Sequence, residues 1–186
     1  AYPSTTSTCQ PVNHVNLLTQ SIRQPVIPVT QSSDALGAAE NDASQYAEIS
    51  MAKAVGYEST LNITYKGYKL EDSYKEGNYF SVNAADGNTL LVMNFTIANP
   101  GSKSVKYDTS SLNDTFYGMF DGKNKIAEKV TFSNKELTSS TKTIKAGKKA
   151  GTIMIFELSK EQAAAITTES LLVEIDGTTY QVNLQK

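Results

Sequence analysis

The sequence is poor in the residues that most often carry protein chemistry. Its 186 residues include no tryptophan, one cysteine and one histidine. A structural zinc site of the usual kind needs four cysteine or histidine ligands, and an internal disulfide needs two cysteines, so both are excluded. No apolar run approaches the roughly 18 residues that a transmembrane helix needs. We expect no metal, no cofactor and no membrane-spanning helix.

Charge of either sign is also scarce. The formal net charge is -2 and the isoelectric point is about 5.5, whereas nucleic-acid-binding domains usually carry a basic face. We therefore expect no nucleic-acid partner. The opening residues, AYPSTTST, lack the basic cluster and apolar core of a signal peptide, which leaves a cytosolic protein or a mature secreted chain. Because the composition is rich in serine, threonine, asparagine and tyrosine, we expect an extracellular or cell-surface protein.

Candidate catalytic residues are few. The only histidine, His14, lies five residues after the only cysteine, Cys9, in a proline-rich stretch. A nucleophile needs a base held within hydrogen-bond reach, and such a stretch provides that geometry only if it is docked. We expect no catalytic residue and no enzymatic activity.

Residues 58–186 contain short strand patterns separated by turn signals, which is typical of an all-β sandwich. Gly67 interrupts the apolar alternation of the first pattern and predicts a β-bulge. Asp121-Gly122 and Asp176-Gly177 predict tight hairpin turns. The clearest core strand is TLLVMNFTIA, whose predicted inward-facing residues are Leu91, Met93, Phe95 and Ile97.

One short helix is predicted within the β region. Ser159 followed by Gln162 forms a capping-box pattern ahead of an alanine run. Residues 34–55 carry helix-favouring alanines without an apolar stripe, so we expect a weak helix or coil there. The composition changes near residue 57, which predicts an extended N-terminal arm over 1–57 and a sandwich over 58–186.

Three stretches together carry a resemblance to a known group: NTLLVMNFTIANPGSKSV, IKAGKKAGTIMIFELSKEQ and LLVEIDGTTYQVNL. They resemble the immunoglobulin-like extracellular domains of unknown function found in lipoproteins and secreted proteins of Gram-positive bacteria. The resemblance covers about residues 58–186 and implies an immunoglobulin-like antiparallel β-sandwich. It supplies no catalytic residues, and the residues before Cys9 lack the pattern that precedes a lipidated cysteine.

The composition of the N-terminal arm favours an extended strand that pairs with a sheet of another subunit. Its prolines suit a sheet edge and exclude a central strand. We expect it to add a strand to a neighbouring subunit, which would build a homo-oligomer or fibre, and Cys9 to form an inter-subunit disulfide. The residues predicted to contact the neighbour are Cys9, Val12, Val15, Leu17, Leu18, Ile22, Val26, Ile27 and Val29.

Two further interpretations stay open at this stage. The arm could be a flexible stalk that carries a monomeric adhesion or ligand-binding module, with a host surface as its partner. A lysine cluster could contact an anionic cell-wall polymer. Its residues are Lys142, Lys145, Lys148 and Lys149.

Overall fold

A computed structural model describes residues 43–184, which form an all-β fold with two short α-helices and a 3₁₀ turn at Ala43–Gln45. The helices are α1 (Met51–Ala54) and α2 (Lys160–Ala164). The strands are β1 (Glu48–Ser50), β2 (Asn62–Glu71), β3 (Ser73–Glu76), β4 (Phe80–Asn83), β5 (Asn88–Ala98), β6 (Val105–Asp108), β7 (Thr115–Met119), β8 (Ile126–Ala127), β9 (Thr141–Ile144), β10 (Lys149–Ser159), β11 (Ser170–Ile175) and β12 (Thr178–Asn183).

The strands form two main sheets. One has the order β1-β12-β11-β7-β8 and the other has the order β10-β5-β2. Two ribbons, β3–β4 and β6–β9, complete the structure. All pairings between these strands are antiparallel except that of β1 with β12, which is parallel. The predicted antiparallel sandwich is therefore confirmed.

The main core lies between the two sheets. The alternation predicted for β5 is confirmed, because the predicted inward-facing residues are all buried in this core. Partners from the opposite sheet include Phe116, Leu171 and Val173. Burying a large apolar side chain stabilises a fold by about 1.5–3 kcal/mol, so this layer supplies most of the stability.

The outer face of the three-stranded sheet is also apolar. Leu90, Val92, Ile153 and Ile155 form a second cluster, against which the β3–β4 ribbon packs Tyr74 and Val82. The ribbon therefore covers a face that would otherwise contact water.

The hairpin turn predicted at Asp176-Gly177 and the predicted helix cap are confirmed. The tight turn predicted at Asp121-Gly122 is wrong, because β7 and β8 are joined by a longer loop over residues 120–125, in which the Asp121 carboxylate accepts hydrogen bonds from the Lys123 and Asn124 N–H groups. Asp176 and Gly177 have φ values of 48° and 76°, the positive values that a tight hairpin between β11 and β12 requires. At α2, the Ser159 hydroxyl accepts a hydrogen bond from the Gln162 N–H, and the Gln162 side chain accepts one from the Ser159 N–H.

The sandwich begins earlier than the predicted residue 58. Strand β1 pairs with β12, and Ile49, Met51 and Val55 are buried in the main core. Residues 43–57 are thus part of the folded domain. A three-residue strand and a four-residue helix are too short to show a period in the sequence, and only their tertiary contacts stabilise them.

Candidate functional site

Strand β2 presents a free edge. It pairs with β5 on one side, and no backbone hydrogen bond from the described residues reaches its other side. Along its ten residues, the alternate N–H and C=O groups that point away from β5 form a template on which another strand can pair. The outer strands of the five-stranded sheet, β1 and β8, have only three and two residues.

The predicted bulge lies in the middle of this edge. The register with β5 shifts between Tyr65 and Tyr68, and Gly67 has a φ of 95°. The one extra residue returns Tyr68 to the core side of the sheet, where it packs against the main cluster. Since a bulge twists the strand locally, an added strand must match this irregularity to pair with β2.

A groove of about 350 Å³ opens beside the bulge. Its lining residues are Tyr65, Tyr68, Ile166, Thr167, Thr168, Glu169 and Leu184. The groove thus lies between the core side of β2 and the segment that leads into β11.

A buried tyrosine hydroxyl lines the groove. Tyr65 is only 1% exposed, and none of the described residues forms a hydrogen bond of full geometry with its hydroxyl. Burial raises the pKa of this hydroxyl, and the nearby Glu169 carboxylate raises it further, as a hydrogen-bond acceptor and through its charge. Glu169 is therefore the acceptor within reach of the O–H, and the hydroxyl oxygen is open to a bound donor.

The opposite edge of the same sheet is covered by the chain itself. We call residues 128–137 the cover segment. Its Lys129 and Leu137 N–H groups donate to the carbonyls of Ile155 and Ile153, at 2.7 and 2.8 Å. In return the Ile153 N–H donates to the Lys135 carbonyl at 2.8 Å. The Lys129 ammonium also pairs with the Glu157 carboxylate.

A buried carboxylate anchors the cover segment. Glu136 is fully buried, and its Oε2 accepts hydrogen bonds from the Thr131 hydroxyl at 2.6 Å and the Thr131 N–H at 3.2 Å. Its Oε1 accepts one from the Leu137 N–H at 3.2 Å. A second carboxyl group, that of Glu128, is partly buried close by and accepts a hydrogen bond from the Thr138 hydroxyl at 2.8 Å.

The two carboxyl groups titrate as a pair. Burial raises the pKa of Glu128 well above its usual range, and the charge of Glu136 raises it further. Burial also raises the pKa of Glu136, while its hydrogen bonds oppose this rise. Because Glu136 has the fuller set of donors, we assign the proton of the pair to Glu128.

The structure separates the predicted lysine cluster. Lys145, Lys148 and Lys149 are exposed around one turn, but Lys142 is half-buried with its Nζ 5.7 Å from the ring centre of Tyr107. Burial lowers the pKa of Lys142. Strand alternation explains the separation, because Lys142 lies on the inward face of β9. Polymer binding stays a prediction for the other three lysines.

Buried Asn99 fixes the position of this lysine turn. Its side-chain amide donates to the carbonyls of Lys103 and Ile144, at 2.8 and 2.9 Å. Its N–H donates to the Lys148 carbonyl, and its carbonyl accepts from Gly147. The exposed Lys103 therefore lies on the turn adjoining the three exposed lysines, a neighbour that sequence spacing did not indicate.

The predicted arm contacts, including the disulfide at Cys9, lie outside the described residues, as does His14. Within residues 43–184 no group of three or more histidine, cysteine or acidic side chains could hold a metal ion. No helix in that range is long and apolar enough to cross a membrane.

No protein-family model and no curated protein matches this chain. Several solved structures of proteins from Gram-positive bacteria are similar to it. An uncharacterised β-sandwich protein from Clostridium difficile is 16% identical, with a TM-score of 0.42 over 68% of this chain and 87% of its own. A conserved hypothetical protein from Bacillus anthracis is 16% identical, with a TM-score of 0.41 and coverages of 67% and 89%. The candidate lipoprotein ycdA of Bacillus subtilis is 18% identical, with a TM-score of 0.34 and coverages of 67% and 36%.

Sequence reasoning missed the groove. The bulge at Gly67 and the inward position of Tyr65 could be read from the alternation, yet Glu169 follows Tyr65 by more than a hundred residues. No local signal brings the two together. The free edge likewise depends on which strands pair, and the sequence did not determine the strand order.

Proposed function

We propose that this protein is a non-enzymatic extracellular interaction protein of the immunoglobulin-like kind, and that it assembles by strand addition. The free edge of β2 accepts the N-terminal segment of another copy. The observation that carries this proposal is the ten-residue unpaired edge of a sheet whose opposite edge the chain covers itself.

The N-terminal segment has the length and composition for this role. It contributes 42 residues before Ala43, and an extended chain of that length reaches about 140 Å. Its spaced valine, leucine and isoleucine residues supply side chains for one face of an added strand. Pro25 and Pro28 are three residues apart, so in an extended strand their backbone nitrogens point to opposite sides. Only one of these nitrogens, which lack an N–H donor, therefore faces β2.

The resulting assembly is open-ended. The donor and acceptor surfaces differ, so each added copy exposes a new acceptor edge and the contact builds a fibre. Cys9 lies within the donor segment and is available to link neighbouring copies by a disulfide.

The proposal is tested by comparing the full chain with a variant that begins at Ala43. The truncation must not begin at residue 58, because that variant would lose buried Ile49 and Met51. We expect concentration-dependent oligomers or filaments of the full chain in light scattering and electron microscopy, and monomers of the truncated chain. Monomers of both at all concentrations would refute assembly. A Cys9→Ser variant should lose only the covalent dimer on non-reducing gels.

A second candidate function is a monomeric adhesion module, and exposed aromatic residues favour it. Phe132 is 97% exposed and Tyr79 is 92% exposed. A hydrogen bond from the Ser133 hydroxyl to the Glu76 carboxylate joins the two regions that carry them. If the full chain stays monomeric, adhesion to host cells should fall in a Phe132→Ser, Tyr79→Ser double variant and stay unchanged in the Cys9→Ser control.

A further inference from the structure

We infer that the groove at the β2 bulge binds the guanidinium group of Arg23 from the incoming segment, and so sets the register of strand addition. This inference rests on the proposed function and names the side chain that fills the groove. It makes Tyr65 and Glu169 the residues that recognise the partner.

The groove has the chemistry of a cation-binding pocket. Glu169 is partly exposed, and it forms no ion pair with any described basic residue. The Tyr65 hydroxyl lines the same groove beside Glu169, and its oxygen accepts no hydrogen bond from a described residue. A cationic donor would satisfy the carboxylate and the hydroxyl together.

Arginine fits these two acceptors better than lysine does. Its planar guanidinium offers five N–H donors, so it can bond both oxygens of a carboxylate and still donate to a third acceptor. The apolar stem of arginine would pack along Ile166 and Leu184, which also line the groove.

Charge complementarity identifies the occupant. Arg23 is the only arginine in the chain and the only lysine or arginine among residues 1–42, so it is the side chain of that segment that carries a full positive charge at pH 7. Because side chains alternate between the two faces of an extended strand, Arg23, Ile27 and Val29 would share one face. With Arg23 in the groove, these apolar residues face the gap between the two sheets.

The test uses a synthetic peptide of residues 16–30 as probe. Titrated into dilute, isotope-labelled full chain, it should shift the NMR signals of Tyr65 and Glu169 and protect β2 amides from hydrogen exchange. A peptide with Arg23→Gln should bind at least tenfold more weakly. Glu169→Gln in the full chain should cause a similar loss, and unfolding curves check that this variant folds.

A charge exchange provides the matched control. The Arg23→Glu peptide should fail on the wild-type chain and recover binding to the Glu169→Arg chain. Equal affinity of the Arg23→Gln peptide, with β2 still protected, would overturn the inference and leave strand addition standing. Shifts in the groove without β2 protection would refute strand addition and retain the cation pocket. Absence of binding at millimolar peptide would overturn both.

Discussion

The two edges of the three-stranded sheet differ in whether their outward backbone N–H and C=O groups are hydrogen-bonded. On β10, the cover segment forms three backbone hydrogen bonds, and buried Glu136 holds that segment in place. On β2, the outer side of the ten-residue strand has no backbone partner among the described residues, and the groove lined by Tyr65 and Glu169 lies alongside.

The difference shows where this fold leaves room for a partner. A sheet edge that a protein does not use is normally covered, shortened or charged, because an open edge promotes aggregation. Here the chain covers one edge at the cost of burying a carboxylate, and on the other it places only a bulge with Lys66 and Lys69 nearby. A bulged, charged edge resists flat, unspecific pairing and admits a strand of matching shape.

The largest expected effect comes from removing the anchor of the cover segment. In Glu136→Ala, the hydroxyl and N–H of Thr131 lose their acceptor, and the Leu137 N–H keeps only the Ile153 carbonyl. We expect the free energy of unfolding to fall by about 3 kcal/mol in urea titrations, with faster hydrogen exchange at Ile153. Glu174→Ala, at an exposed strand position, is the control. A loss below about 1 kcal/mol would show that the carboxylate does not anchor the segment.

The second prediction concerns proline substitutions that remove a backbone donor from the free edge of β2. Lys69 and Leu70 are both exposed neighbours on β2, and successive N–H groups of a strand point to opposite sides. The test compares Lys69→Pro with Leu70→Pro. The variant that loses the N–H facing β5 should lose about 3 kcal/mol of its free energy of unfolding. The variant that loses the outward N–H should keep a nearly unchanged unfolding curve and should not assemble in light scattering. Normal assembly of that folded variant would exclude β2 as the acceptor.

The third prediction concerns pH and the Glu128–Glu136 pair. A folded-state pKa above the ordinary 4.5 means that the folded protein holds a proton that the unfolded chain releases. The pair thus stabilises the fold at low pH, and this contribution is lost as the pH rises through the raised pKa. Glu128→Gln mimics the protonated carboxyl, so the variant should be about 1–2 kcal/mol more stable than wild type near pH 8.

The difference between Glu128→Gln and wild type should shrink toward about pH 4, where both carry a neutral group at this position. Urea titrations at several pH values would measure it. A constant difference across this range would contradict the assignment of the proton to Glu128.

The smallest expected effect is that of Tyr65→Phe. Removing the hydroxyl relieves the cost of its burial and also removes its interaction with Glu169, so stability should change by less than about 1 kcal/mol. The same change should weaken peptide binding at the groove. Unchanged peptide affinity in a normally folded Tyr65→Phe variant would exclude the hydroxyl from recognition of the partner.

Much of the local structure was predictable. The β5 alternation, the capping box at Ser159, the turn at Asp176 and the bulge at Gly67 each follow from a rule that acts within a few residues. The start of the domain was not predictable, because β1 is held by pairing with β12, far along the chain. The predicted lysine cluster rested on proximity in sequence, which did not reveal that Lys142 lies on the inward face of β9.

The sequence by itself determined an all-β fold, the hairpin turn at Asp176-Gly177, the bulge at Gly67 and the helix cap at Ser159. Those properties depend on residue type and on spacings of two to four residues. Only the tertiary structure decided which edge of the sheet is covered and that Tyr65 and Glu169 share a groove. Such features arise from strand order and long-range packing, in which groups distant in sequence meet because burying the core leaves them no other arrangement.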